Sequence, residues 1–127
     1  MPPLSRLMVR VALCWLAVGY SAGGLLLANK GVPLASWIWG LRGAHVHMLL
    51  VGWTLQLAAG VAYWIMPRLD AHGDRGGDRP VWLCFGALNA GVVCSLLPGL
   101  AAVSGALYFV AAAAFVVHLW RRVRPFG

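Results

Sequence analysis

The sequence contains no glutamate, and its three aspartates all fall between positions 70 and 78. A proton pump or proton-coupled transporter usually needs an acid inside the membrane, so this distribution argues against both classes. Only three cysteines occur, and none belongs to a CxxC or CxxCH motif. Neither a zinc ribbon nor a covalently attached c-type haem is therefore indicated.

Charge of either sign is scarce, at 10% of the residues, whereas 61% are hydrophobic. That composition is typical of membrane proteins. The charges cluster near the N-terminus, near the C-terminus and in two connections, and they leave apolar runs at 11–29, 43–67 and 81–120. A span needs roughly 20 apolar residues, and Pro98-Gly99 divides the longest run into two. The sequence predicts an all-α, four-helix transmembrane bundle, a single domain over 1–127, with helices near 8–28, 44–67, 81–97 and 100–120.

The net charge of +7 could suggest nucleic acid, but the positions of the basic residues favour a membrane orientation signal. Four spans put the N-terminus, the second connection and the C-terminus on one side. That side holds eight Lys/Arg, and the other holds two, Lys30 and Arg42. The excess predicts that both termini face the cytoplasm, in a multi-pass protein of the bacterial inner membrane. The expected partners are the bilayer and other membrane proteins, and no nucleic acid.

The connection 69–80 is short, polar and rich in glycine. We expect a flexible turn at the cytoplasmic side. Its three carboxylates and His72 offer metal-binding groups, but the glycines provide no rigid frame for them.

Small residues at four-residue spacing predict where helices approach closely. Gly19 and Gly23 form such a pair in the first helix, and Gly86 and Ala90 form one in the third. The pattern does not separate contacts within one bundle from contacts between subunits.

Histidines at the start of the second helix are the candidate functional groups, because ionisable residues in a membrane are costly. His45 and His47 would point about 200° apart on a helix, so both cannot bind one metal if both are fully helical. His118 would lie near the other surface, on the order of 20–30 Å away. A second ligand beside His45 must therefore be His47, Met48, a group of the outer connection or another subunit. The alternative for both histidines is a simple hydrogen bond to a carbonyl or a lipid headgroup.

The residues Arg42-Gly43-Ala44-His45, followed by Gly52-Trp53, Gly60, Tyr63 and Pro67-Arg68, resemble the second helix of the haem–copper oxidase catalytic subunit. The resemblance is to the C-family oxidases and the related nitric oxide reductases. It extends to small stand-alone four-helix proteins with an H-x-H-x-x-x-x-G-W start. It implies that His45 is the axial ligand of a b-type haem near the outer surface.

Three functions follow as hypotheses. The first is haem-linked electron transfer or support of a respiratory complex, in which His45 binds iron, His47 or Met48 supplies a second ligand, and Arg42 pairs with a propionate. The second is an accessory or assembly subunit without a cofactor. The third is copper handling by His45, His47 and Met48. The copper and high-spin haem ligands of the family lie on later helices, so we expect no stand-alone oxygen-reducing enzyme. A homo-oligomer or a larger membrane complex is expected.

Overall fold

The computed structural model describes residues 1–69 and 75–123, and these residues form four helices and no strand. We name them α1 (Pro3–Gly31), α2 (Ser36–Ile65), α3 (Arg79–Ser95) and α4 (Ala101–Trp120). The predicted all-helical fold with four helices is confirmed. Helices α1, α2 and α4 are long and apolar enough to cross a membrane, and α3 is shorter, with 17 residues. The metal-binding groups suggested for the 69–80 connection, Asp70, His72 and Asp74, lie outside the described residues.

The helix boundaries follow from backbone chemistry. Helix α1 begins at Pro3, five residues before the predicted start, because proline is well suited to the first turn of a helix. Helix α2 ends at Ile65, and Met66 is extended as expected for a residue that precedes proline. The predicted break at 98–99 is confirmed, and Gly99 has a φ of 82°, which glycine adopts without strain.

Helix α2 is not uniform. It opens with a 3₁₀ turn, Ser36–Gly40, continues as α-helix through His47, widens into a π-helix over Met48–Leu55, and returns to α-helix over Gln56–Ile65. Five of its buried residues recur at every fourth position, namely Ala44, Met48, Gly52, Gln56 and Gly60. In a regular α-helix that spacing would drift by roughly 40° per step. Wider π turns reduce this drift, so one stripe of α2 faces the interior.

Helices α1 and α2 pack along each other, as do α3 and α4, and α2 also contacts α3.

A chain of hydrogen-bonded polar side chains crosses the interior of the bundle. The Trp15 indole donates to Asn89 Oδ1 at 2.7 Å, and Asn89 Nδ2 donates to Gln56 Oε1 at 2.7 Å. Gln56 in turn donates to the Met8 carbonyl. These bonds tie α1, α2 and α3 together where no water is expected to compete.

Candidate functional site

The His45 imidazole lies in a slot on α1 that Gly23 creates. Its Nδ1 is 2.8 Å from the carbonyl oxygen of Gly19. One turn further along α1, a Cβ on Gly23 would lie 2.6 Å from His45 Cε1, closer than real Cβ contacts allow. The predicted small-residue pair therefore contacts α2 of the same chain, and it does so at the candidate histidine. In contrast, Gly86 and Ala90 of the second predicted pair are exposed.

The hydrogen bond to Gly19 determines which ring nitrogen carries the proton in a neutral His45. A carbonyl oxygen can only accept, so Nδ1 must carry the proton. The lone pair then resides on Nε2, for which the described residues provide no hydrogen-bond partner. Histidines that bind metals usually donate their other nitrogen to a carbonyl or carboxylate, which fixes both tautomer and ring orientation. His45 has this arrangement.

His47 points to a different helix. Its Nδ1 is 3.0 Å from the hydroxyl of Tyr108 on α4, and the two rings stack at a centroid distance of 5.7 Å. The Tyr108 ring lies against Gly91 of α3, where a Cβ would come within 2.4 Å of Tyr108 Cε1. The predicted divergence of His45 and His47 is thus present, with one imidazole on α1 and the other on α4.

The other two predicted site residues do not join either histidine. Met48 is buried in a cluster with Ala44 and Val92, and Arg42 is exposed. Among residues 1–69 and 75–123, no group of three or more His, Cys, Asp or Glu side chains has the geometry to hold a metal ion. The four predicted residues lie within 42–48, in the first half of α2, without converging on one point.

A second polar centre lies at the other end of the bundle, around Arg122. This arginine is 1% exposed and follows the end of α4. Its guanidinium donates to three carbonyl oxygens at the end of α2, those of Tyr63 (3.2 Å), Met66 (2.7 Å) and Pro67 (2.9 Å). A cation that satisfies the last carbonyls of a helix also interacts favourably with the helix dipole. Arg122 therefore fastens α4 to the end of α2.

Aromatic and acidic groups complete the centre around Arg122. The Arg122 guanidinium lies 5.5 Å from the centre of the Tyr63 ring and donates to His118 Nε2 at 3.3 Å. The Tyr63 hydroxyl donates to Asp78. Burial lowers the pKa of Arg122, and the nearby charge of Arg75 lowers it further, against an opposing influence of Tyr63.

Sequence reasoning missed three polar side chains that join the helices, namely Asn89, Tyr108 and Arg122. Asn89 carried a signal, because an amide inside an apolar run is a known means of joining membrane helices. Arg122 and its exposed neighbour Arg121 are alike in sequence, and only the packing separates them. Tyr108 carried no signal, since nothing local to α4 shows that it faces His47.

Comparison with models of known protein families, with curated proteins and with solved structures finds no match for this chain. The resemblance to the oxidase subunit therefore depends on residues 42–68 alone.

Proposed function

We propose that this chain is a four-span protein of the bacterial inner membrane, with both termini in the cytoplasm, in which His45 binds a b-type haem. The observation that carries the proposal is the bond from His45 Nδ1 to the Gly19 carbonyl, at 2.8 Å. It orients the imidazole and leaves Nε2 as the free donor atom, as an axial ligand requires. The glycine slot at Gly23 admits the ring at a place where any larger residue would exclude it.

His45 would fill only one of the two axial positions of a haem iron. Of the other predicted ligands, His47 is bonded to Tyr108 and Met48 is packed against Ala44 and Val92. The second position would therefore be filled by another subunit, either a second copy or a larger membrane complex. Arg42, which is exposed one helical turn before His45, would pair with a propionate. A bound b-type haem would supply one-electron transfer near the outer surface.

Absorption spectroscopy of the purified protein tests this proposal. We expect a Soret band that shifts on reduction and a haem content that pyridine haemochrome analysis can measure. His45→Ala should abolish the band, and Gly23→Ala should weaken or shift it because the added methyl displaces the imidazole. Gly24→Ala is the matched control, since a Cβ at Gly24 meets no atom within 4 Å. A full-strength spectrum in well-folded His45→Ala protein would contradict the assignment.

A second candidate is an accessory or assembly subunit without a cofactor. It is favoured by the partners of the two histidines, because each imidazole joins α2 to another helix of the same chain. Purification of the intact chain with a respiratory complex but without haem absorbance would support this alternative.

Copper handling is the third hypothesis. His45 and His47 point to different helices and so form no shared copper site. Metal analysis of the same preparation tests this hypothesis.

A further inference from the structure

Helices α2 and α4 are joined by side-chain bonds at their two ends and stand apart between them. The outer bond is His47 to Tyr108, and the inner bonds run from Arg122 to the end of α2. Between these ends lies a groove of about 400 Å³. It is lined almost wholly by apolar side chains, which include Val51, Leu55 and Ala58 of α2, Leu88 of α3, and Ala112 and Phe115 of α4.

The shape of the groove fits a chain molecule. Its α2 wall extends from Val51 to Ala62, which at about 1.5 Å per residue is roughly 16 Å. Buried Cys84 and Leu88 of α3 form its floor. Apolar surface of this extent favours a hydrocarbon tail lying parallel to the helices.

The outer end of the groove is polar. Tyr108 lines both the groove and a neighbouring cavity of about 300 Å³, which His47, Ser95 and Ser104 also line. The two serine hydroxyls already donate to backbone carbonyls of α3. The Tyr108 hydroxyl and the His47 imidazole share one hydrogen bond, which leaves one further donor on the pair for a headgroup.

Charge further restricts the headgroup. No Lys, Arg, Asp or Glu lines either cavity among the residues that the structure describes. A phosphate or a carboxylate placed there would lack a countercharge in a medium of low dielectric constant. The stacked rings of His47 and Tyr108 instead offer a flat aromatic surface, on which a planar, neutral head would pack well.

We propose that this groove binds a lipid-soluble quinone, with its hydrocarbon tail between α2 and α4 and its ring beside His47 and Tyr108. A quinone oxygen would accept a hydrogen bond from the tyrosine hydroxyl or from an imidazole N–H. The site lies on the opposite side of α2 from His45, whose ring contacts α1. It is therefore independent of the proposed haem site.

Titration of the purified, intact chain in detergent micelles with decylubiquinone, followed by quenching of tryptophan fluorescence, tests the proposal. Ala58→Leu and Ala112→Leu add bulk to the groove walls at positions outside the buried core. Each should weaken binding by about tenfold, because the tail loses buried apolar contact. Tyr108→Phe should weaken it by about three- to tenfold, because only the hydroxyl is lost. Ala106→Leu, on an exposed part of α4 away from the groove, is the matched control and should leave binding unchanged.

Several results would overturn the proposal. One is an equal effect of Ala106→Leu and Ala112→Leu, and another is no effect of either groove variant. Tighter binding of dioleoylglycerol in competition would assign the groove to a neutral lipid. If the leucine variants convert a dimer into a monomer while quenching persists, a second copy of the chain occupies the groove. His45→Ala should keep full quinone affinity, so that failure of the haem proposal is detected separately.

Discussion

The imidazole of His45 and the backbone of Gly23 are in direct contact, with no room between them for a methyl group. A Cβ at Gly23 would lie 2.6 Å from His45 Cε1 and 3.0 Å from Nδ1. The size of the histidine ring thus sets the distance at which α1 approaches the first half of α2.

This contact predicts a strong effect of Gly23→Ala on stability. We expect the free energy of unfolding to fall by about 1–3 kcal/mol, because the ring or the helix must shift. Gly24→Ala, which meets no neighbour, should be neutral or slightly stabilising, since alanine favours helix. Unfolding in mixed detergent–SDS micelles, followed by circular dichroism, measures both. Adding His45→Ala to Gly23→Ala should remove most of the penalty, and a failure of this rescue would contradict the steric explanation.

Arg122 is expected to contribute more to stability than any exposed arginine of the chain. In Arg122→Ala three carbonyl oxygens at the end of α2 lose their donor, and we expect a loss of about 2–4 kcal/mol. Arg122→Lys should recover only part of this, because an ammonium cannot reproduce the guanidinium fork. Arg121→Ala is the control, with an expected change within about 0.5 kcal/mol. Unfolding in detergent–SDS micelles measures these changes in stability. Equal effects of Arg122→Ala and Arg121→Ala would contradict the role assigned to Arg122.

The bond between Trp15 and Asn89 should appear as a coupling energy. A double-mutant cycle of Trp15→Phe and Asn89→Ala is expected to give about 0.6 kcal/mol, the average for hydrogen bonds between membrane helices, and at most about 1.7 kcal/mol. Ser21 is a suitable control, because its hydroxyl bonds only within α1 and is exposed. The Ser21→Ala and Asn89→Ala effects should add within about 0.5 kcal/mol. Additivity of Trp15→Phe with Asn89→Ala would show that the bond contributes nothing measurable.

The proposed orientation can be tested by labelling single cysteines in living cells. Ser36 is exposed at the start of α2, and Gly77 is exposed in the connection before α3. In a chain whose native cysteines are replaced by alanine, Ser36→Cys should react with a membrane-impermeant maleimide in cells with a permeabilised outer membrane. Gly77→Cys should react only after the inner membrane is opened. The reverse pattern would place both termini outside and contradict the positive-inside interpretation.

Much of the fold follows from the apolar runs, because each helix needs a long uncharged stretch and the Pro98-Gly99 break divides the last one. The divergence of His45 and His47 also follows from helical geometry, and their contacts with Gly19 and Tyr108 show it. The identity of those contacts does not follow, because it depends on which helix packs on each face. The same reason explains why the burial of Arg122 was missed.

The π-helical turns of Met48–Leu55 also could not be predicted, since apolar residues do not distinguish i→i+4 from i→i+5 bonding. They separate the histidines at one end of α2 from Tyr63 at the other. If the same residues formed ordinary α turns, the two ends of α2 would rotate against each other, because a π turn holds more residues than an α turn. His45 would then turn away from Gly23, or Tyr63 from Arg122, with every side chain at both ends unaltered. The angle between the two polar centres about the axis of α2 therefore depends on how this segment is wound.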